Sequence, residues 1–130
     1  MHYRKAVVWV KAVQLAELSC RLSKRLPPEE RFGVRSQITR AAVSVPSNVA
    51  EGWTRESRRE KAQFLAIAHG SLGELHTQLL LCGRLGWLPS SETRQVIELA
   101  FEVGRMLTTL RKALRSTPAS PRLPTAPTSS

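Results

Sequence analysis

Residues 34–85 read VRSQITRAAVSVPSNVAEGWTRESRREKAQFLAIAHGSLGELHTQLLLCGRL. Val34, Ile38, Ala41, Val45 and Val49 recur every three or four residues, which places them on one stripe of a helix. Phe64, Leu65, Ala68, Leu72, Leu75, Leu79, Cys82 and Leu85 repeat the pattern with larger side chains, and Ser57 with Glu60 has the spacing of a capping box ahead of them. The stretch therefore predicts a helical hairpin, with its corner at Glu51, Gly52 and Trp53. A glycine there suits the left-handed backbone that follows a helix end.

Working outward, Val8, Trp9, Ala12, Leu15, Ala16, Ser19 and Leu22 share one face of a helix spanning Tyr3 to Leu26. Pro27 and Pro28 stop it, because proline lacks an amide donor and restricts the residue before it. After a connector over Glu29 to Gly33, the second helix is expected to run to Glu51. Pro46 inside it implies either a kink or a break, with Ser47 or Asn48 capping a fresh start. The third helix covers Ser57 to Leu85. Its Ala66, Gly70 and Gly73 lie on one face where another helix could approach closely. GWLPSS (86–91) is a turn with Ser90 or Ser91 as the next cap, and Val96, Ala100, Val103, Leu107, Leu110 and Leu114 form the seam of a fourth helix. Four amphipathic helices with short loops predict an all-α, up-down-up-down antiparallel bundle over 1–115, followed by a disordered Pro/Ser/Thr-rich tail over 116–130.

Twenty Lys and Arg stand against ten acidic residues, all Glu, for a net charge of +10. The tail holds only Arg122 of these, so the surplus belongs to the bundle. Such a balance predicts attraction to polyanions, nucleic acid foremost, while the plainer reading is solubility and helix-surface pairing. Cys20 and Cys82 fall inside apolar patterns and read as reduced core residues. No apolar run has signal-peptide or membrane-spanning form, which predicts a cytoplasmic protein.

No residues assemble into a nucleotide-binding loop. The glycines at 70 and 73 follow no strand, and His69, His76, Glu74 and Cys82 match no zinc spacing. No cofactor is expected, and neither Ser44 nor Ser71 has an evident base, so the chain does not read as an enzyme. Gln37, Arg40, Ser44, Asn48 and Glu51 border the core stripe of the second helix. They are either a solvated face or a hydrogen-bonded seam between helices or subunits, with Glu51, Glu74 and Gln78 as partners for Arg40 and Arg55. Arg55, Arg58, Arg59 and Lys61 cluster at the start of the third helix, and Arg105, Arg111, Lys112 and Arg115 near the end of the fourth. Antiparallel packing brings these clusters to one end of the bundle. Trp53 at that corner, grouped with the polar seam, is either a plug over the bundle end or an oligomer contact, or else a platform for an unpaired base.

The strings SQITRAAVSVPSNVAEGWTRES and FLAIAHGSLGELHTQL, with YRKAVVWVKA ahead and GRLGWL and RML behind, resemble the bacterial four-helix-bundle family of proteins encoded in intervening sequences of 23S rRNA genes. That family also contains the accessory variability determinants of diversity-generating retroelements. The resemblance spans residues 3–114 and favours a second helix that is kinked rather than broken. It implies a ring-shaped homo-oligomer, a pentamer, with nucleic acid as ligand through Arg55, Arg58, Arg59 and Lys61, and by analogy a reverse transcriptase as partner. A structural or protein-interaction module without a nucleic-acid role is the competing expectation.

Overall fold

A computed structural model describes residues 2–30 and 32–116. Helices α1 (Val7–Ser23), α2 (Val34–Thr54), α3 (Arg58–Arg84) and α4 (Ser90–Ser116) are joined by short loops, with single 3-10 turns at Tyr3–Lys5 and Pro28–Glu30. Each helix packs on its neighbours in the cycle α1, α2, α3, α4, and neither diagonal pair comes close. Short loops make successive helices antiparallel. At one end Arg25, just past α1, pairs with Glu92 of α4, and at the other Val7 of α1 lies beside Leu110 of α4. The architecture is thus the up-down-up-down bundle that the apolar stripes imply.

The core is assembled from those stripes. Ala12 and Leu15 of α1, Ile38, Val45 and Val49 of α2, Leu75 and Leu79 of α3, and Val103 and Leu107 of α4 are completely buried. Leu110 and Leu114 continue the α4 stripe but are only partly covered, because the bundle opens towards that end. Among the described residues no helix is long and apolar enough to cross a membrane. The expectation of a disordered tail over 116–130 lies outside the described residues, apart from Ser116, which closes α4.

Several local expectations change. The first helix starts at Val7, not Tyr3, because Ala6 is extended (φ −74°, ψ 128°) and a separate turn precedes it. That turn is held by His2, whose Nδ1 accepts from the Arg4 amide at 3.2 Å, and by the edge-to-face packing of Tyr3 on Trp9. Helix α2 runs unbroken through Pro46, the alternative that the resemblance favours over a break. Proline cannot donate to the Ala42 carbonyl, yet the buried Val45 and Val49 on either side of it anchor both halves in the core. Asn48 caps no new helix; its Nδ2 donates back to the Ser44 carbonyl at 2.8 Å. Ser90 is the first residue of α4 rather than its cap, since the Pro89 carbonyl already accepts from Glu92 and Thr93.

The hairpin corner also moves. Helix α2 continues to Thr54, so the turn is Arg55–Ser57 and Gly52 sits inside the helix, buried. Gly52 has no left-handed backbone; that role belongs to Gly86 (φ 75°) between α3 and α4. What Gly52 supplies is space. A Cβ there would lie 3.2 Å from the Phe64 Cβ and 3.3 Å from the Lys61 carbonyl oxygen. The end of α2 is then closed from α3, where the Lys61 amine donates to the carbonyls of Gly52 (3.5 Å) and Trp53 (3.2 Å). Across the corner the Ser57 hydroxyl accepts from the Glu60 amide at 3.1 Å, the cap expected of that pair.

Gly52→Ala therefore introduces a methyl group against atoms that cannot rotate away. Alanine favours a helix over glycine by about 1 kcal/mol, but overpacking a close contact costs about 1–3 kcal/mol. The expected outcome is a net loss of stability, read as a lower midpoint in thermal unfolding followed by circular dichroism.

Candidate functional site

The bundle is electrically polarised along its axis. Dividing each helix at its midpoint, the half that holds the ends of α2 and α4 and the starts of α1 and α3 carries eleven Lys and Arg against three Glu. Among the described residues, the other half carries seven against seven. The surplus charge of the bundle is thus gathered at the end formed by the α2–α3 corner.

At that end Arg58 and Arg59 of α3 and Arg111 and Arg115 of α4 line one cleft of about 510 Å³, floored by Ala62, Ala66 and Leu114. The Arg111 Nη1 lies 3.2 Å from the His69 Nδ1, which steadies its guanidinium. Arg105 and Lys112 are exposed on the outward crest of α4, seven residues apart and so in line along the helix. The remaining two cations of the expected cluster take part in the fold. Lys61 caps α2, and Arg55 pairs with Glu51 while its guanidinium sits 4.8 Å above the Phe64 ring.

Helix electrostatics separates these cations further. A cation near a helix C-terminus is favourable and one near an N-terminus is unfavourable, by about 0.3–1 kcal/mol each at the surface. Arg111 and Arg115 fall at the favourable end of α4. Arg58 and Arg59 are the first two residues of α3, against the dipole, with Glu60 after them as partial relief. Helix stability does not account for two arginines there, whereas an anion at the same place would meet both their charge and the free amides of the first turn.

The polar residues of α2 divide between two faces. Ser44 Oγ is 2.8 Å from Ser71 Oγ of α3, and Asn48 Nδ2 donates to the Ser44 hydroxyl at 2.9 Å, so these form a hydrogen-bonded seam between helices. Gln37, Arg40 and Ser44 line an open groove of about 1090 Å³ between α2 and α3, facing Glu74, Gln78 and Leu81. Gln78 Oε1 is shielded from solvent with no donor, and Arg40 has no ion-pair partner among the described residues. Glu51 joins Arg55 rather than Arg40. Trp53 lies apart from this seam, on the opposite side of α2, where it borders α1 and α4. Ser71 as the partner of Ser44 was not legible beforehand, because a lone serine within an apolar pattern does not reveal which helix it meets.

The small-residue face of α3 also departs from expectation. Among the described residues nothing lies within 4 Å of a Cβ built on Gly70 or Gly73, so none of the four helices approaches there. Close approach occurs instead at Gly52 and at Gly83, where Thr93 of α4 fills the space. Ile67, Leu81 and Trp87 are exposed around that face and the adjoining groove.

Among the described residues no three His, Cys or acidic side chains come together as a metal site. Glu74 faces the α2 groove while His76 packs edge-on against Phe101 of α4, so the two lie on different sides of α3. Both cysteines are free thiols. Burial pushes both thiols up, offset in part at Cys20 by Lys24 and reinforced at Cys82 by Glu30.

An all-α antiparallel bundle with one basic end is the class of protein that these features define. Residues 4–109 match the family model for the 23S rRNA-intervening sequence protein, and the chain belongs to that family. It is also similar to the crystal structure of a protein of unknown function from the S23 ribosomal protein family of Bacteroides thetaiotaomicron VPI-5482, at 25% identity and a TM-score of 0.77. That likeness covers 82% of this chain and 99% of the other. No functionally curated protein matches.

With its thiol fully enclosed and raised, Cys82 is expected to stay unmodified by iodoacetamide at neutral pH in the folded protein. Alkylation should appear by mass spectrometry only when denaturant is added.

Proposed function

We propose that this protein is a non-enzymatic, self-assembling helical bundle that binds nucleic acid through its basic end. The observation that carries the reading is the gathering of eleven cations against three carboxylates in one half of the molecule. Arg58, Arg59, Arg111 and Arg115 share a cleft, and two of them sit where helix energetics disfavours them. Phosphates laid in that cleft would gain charge-assisted contacts and displace counterions, the term that dominates binding to nucleic acid. Membership of the 23S rRNA-intervening sequence protein family accords with a nucleic-acid setting.

Self-assembly belongs to the other half. Two basic ends repel, so copies would meet where the charge is balanced. There the α2–α3 groove offers a guanidinium at Arg40 without an ion-pair partner and an acceptor at Gln78 without a donor among the described residues, carboxylates at Glu30 and Glu74, and the exposed Leu81 and Trp87. Beside it, Gly70 and Gly73 leave room for a helix backbone of a second copy. The family resemblance suggests five copies in a ring.

Two experiments test these parts separately. Reversing Arg58 and Arg59 to Glu should abolish RNA or DNA binding in fluorescence anisotropy while helicity and oligomer mass stay unchanged. For the unaltered protein, affinity should fall on the order of a thousandfold between about 50 and 200 mM salt if six phosphates are held. Unaltered affinity in the reversed variant would remove the cleft as the site. Replacing Gly70 and Gly73 with Gln should leave the isolated fold intact, since nothing in the chain opposes the new side chains. The mass measured by sedimentation should drop to that of one copy; retention of the assembly would move the interface elsewhere.

A further inference from the structure

On the side of α4 away from the arginine cleft, an apolar trough of about 660 Å³ lies between the start of α1 and the last turns of α4. Its walls are Val7, Trp53, Met106 and Leu110, with Arg105 on the rim. Val7 is 61% exposed, unusual for a valine at the start of a core helix, and Trp53 is only half-buried. The trough ends at the ion pair of Lys11 Nζ with Glu102 Oε2, 2.8 Å apart. Cleft, crest and trough therefore stand side by side across the last three turns of α4. The arginines are on one flank, Arg105 and Lys112 are on the crest, and the aromatic, apolar hollow is on the other flank.

We propose that this trough receives an unpaired base of a nucleic-acid strand whose phosphates lie on the crest and in the arginine cleft. The proposal rests on the nucleic-acid reading above and makes it narrower: the ligand is a strand with unpaired bases, not a continuous duplex. In a duplex the bases are held in the stack and only phosphates reach a convex helix crest. A single strand can lay its backbone on Lys112 and Arg105 and turn a base against the indole, because every base has a face that stacks on an aromatic ring. Met106 adds a polarisable wall that adapts to rings of different outline.

The dimensions favour a base over other occupants. The apolar floor supplied by α4 is Met106 to Leu110, one helical turn or about 6 Å, before the Lys11–Glu102 pair closes it. An amphipathic helix docks through anchors at i, i+4 and i+7, about 10 Å along its axis, and does not fit that length. One or two bases stacked about 3.4 Å apart do. A second copy meeting this one end to end would bring its own basic end against Arg105 and Lys112 and be repelled.

The test is a comparison on the unaltered protein at about 50 mM salt, using a thymidine 15-mer, an abasic strand of equal length and phosphate count, and a duplex. The thymidine strand is expected to bind about tenfold more tightly than the abasic one, the effect of one stacked base. Trp53→Leu should erase that difference and leave duplex binding unchanged. Because Trp53 also touches the core, a Trp9→Phe/Trp87→Phe double variant keeps it as the sole emitter; its fluorescence should be quenched by the thymidine strand and not by the abasic one. Equal affinity for all three probes, with no selective quenching, overturns the trough proposal and leaves phosphate binding standing. Displacement of a bound strand's quenching by an acidic helical peptide, with thymidine and abasic strands bound equally, assigns the trough to a protein and also overturns it. Absence of binding by any probe removes the nucleic-acid reading together with it.

Discussion

The structure depends on one close approach, that of α2 to α3 at Gly52. The missing side chain lets the α2 backbone come within van der Waals reach of Phe64 and of the Lys61 carbonyl. At that distance the Lys61 amine reaches back to the last carbonyls of α2, and Arg55 can fold over Phe64 while pairing with Glu51. A helix end that would otherwise leave acceptors open is thereby satisfied by the next helix. Farther along the pair, Ser44, Ser71 and Asn48 repeat the arrangement with neutral groups. The other two helices then cover the apolar stripe that this pair presents.

The same corner determines which cations are available for binding. Lys61 and Arg55 are partly enclosed and have partners in the chain, so moving them to a ligand would unmake contacts that close α2. Arg58 and Arg59 open α3 on the flank that faces the end of α4 rather than α2. Four cations in one short run thus divide into two with structural contacts and two lining an open cleft, according to whether they face the α2–α3 corner or the end of α4. The division of charge along the axis has a related origin: α3 opens and α4 closes with its densest run of Lys and Arg, and antiparallel packing brings those two runs together.

A bundle of this size leaves outer helix faces uncovered, and here these faces differ. Along α3 the outer face is small and neutral, with glycines that meet nothing among the described residues. Along the end of α4 it is a cationic crest between an arginine cleft and an apolar trough. The first has the character of a surface that another backbone can approach, the second that of a surface that meets a flexible polyanion. The two surfaces stand at separate places on the molecule, so the assembly and the nucleic-acid binding proposed above would not exclude each other.

Much of this was legible in the residues alone. The three-and-four spacing of Val96, Ala100, Val103 and Leu107, and of Leu65 through Cys82, settled the number of helices and their buried faces, because burial of an apolar stripe is a local periodic property. The capping role of Ser57 and the meeting of Arg58 with Arg111 followed from spacing and antiparallel order. Other features depended on distances between helices. Gly52 looked like a terminator because its neighbours in sequence say nothing about Phe64 approaching from α3, and Gly70 and Gly73 looked like contact points although their face is open. Whether Lys61 caps a helix or waits for a phosphate, and whether Trp53 joins the polar seam or an apolar trough, was decided by which side of a helix faces which neighbour. Periodicity determines what must be buried; only packing determines what stands opposite, since a side chain's partner is set by the geometry of two helices and not by the pattern of one.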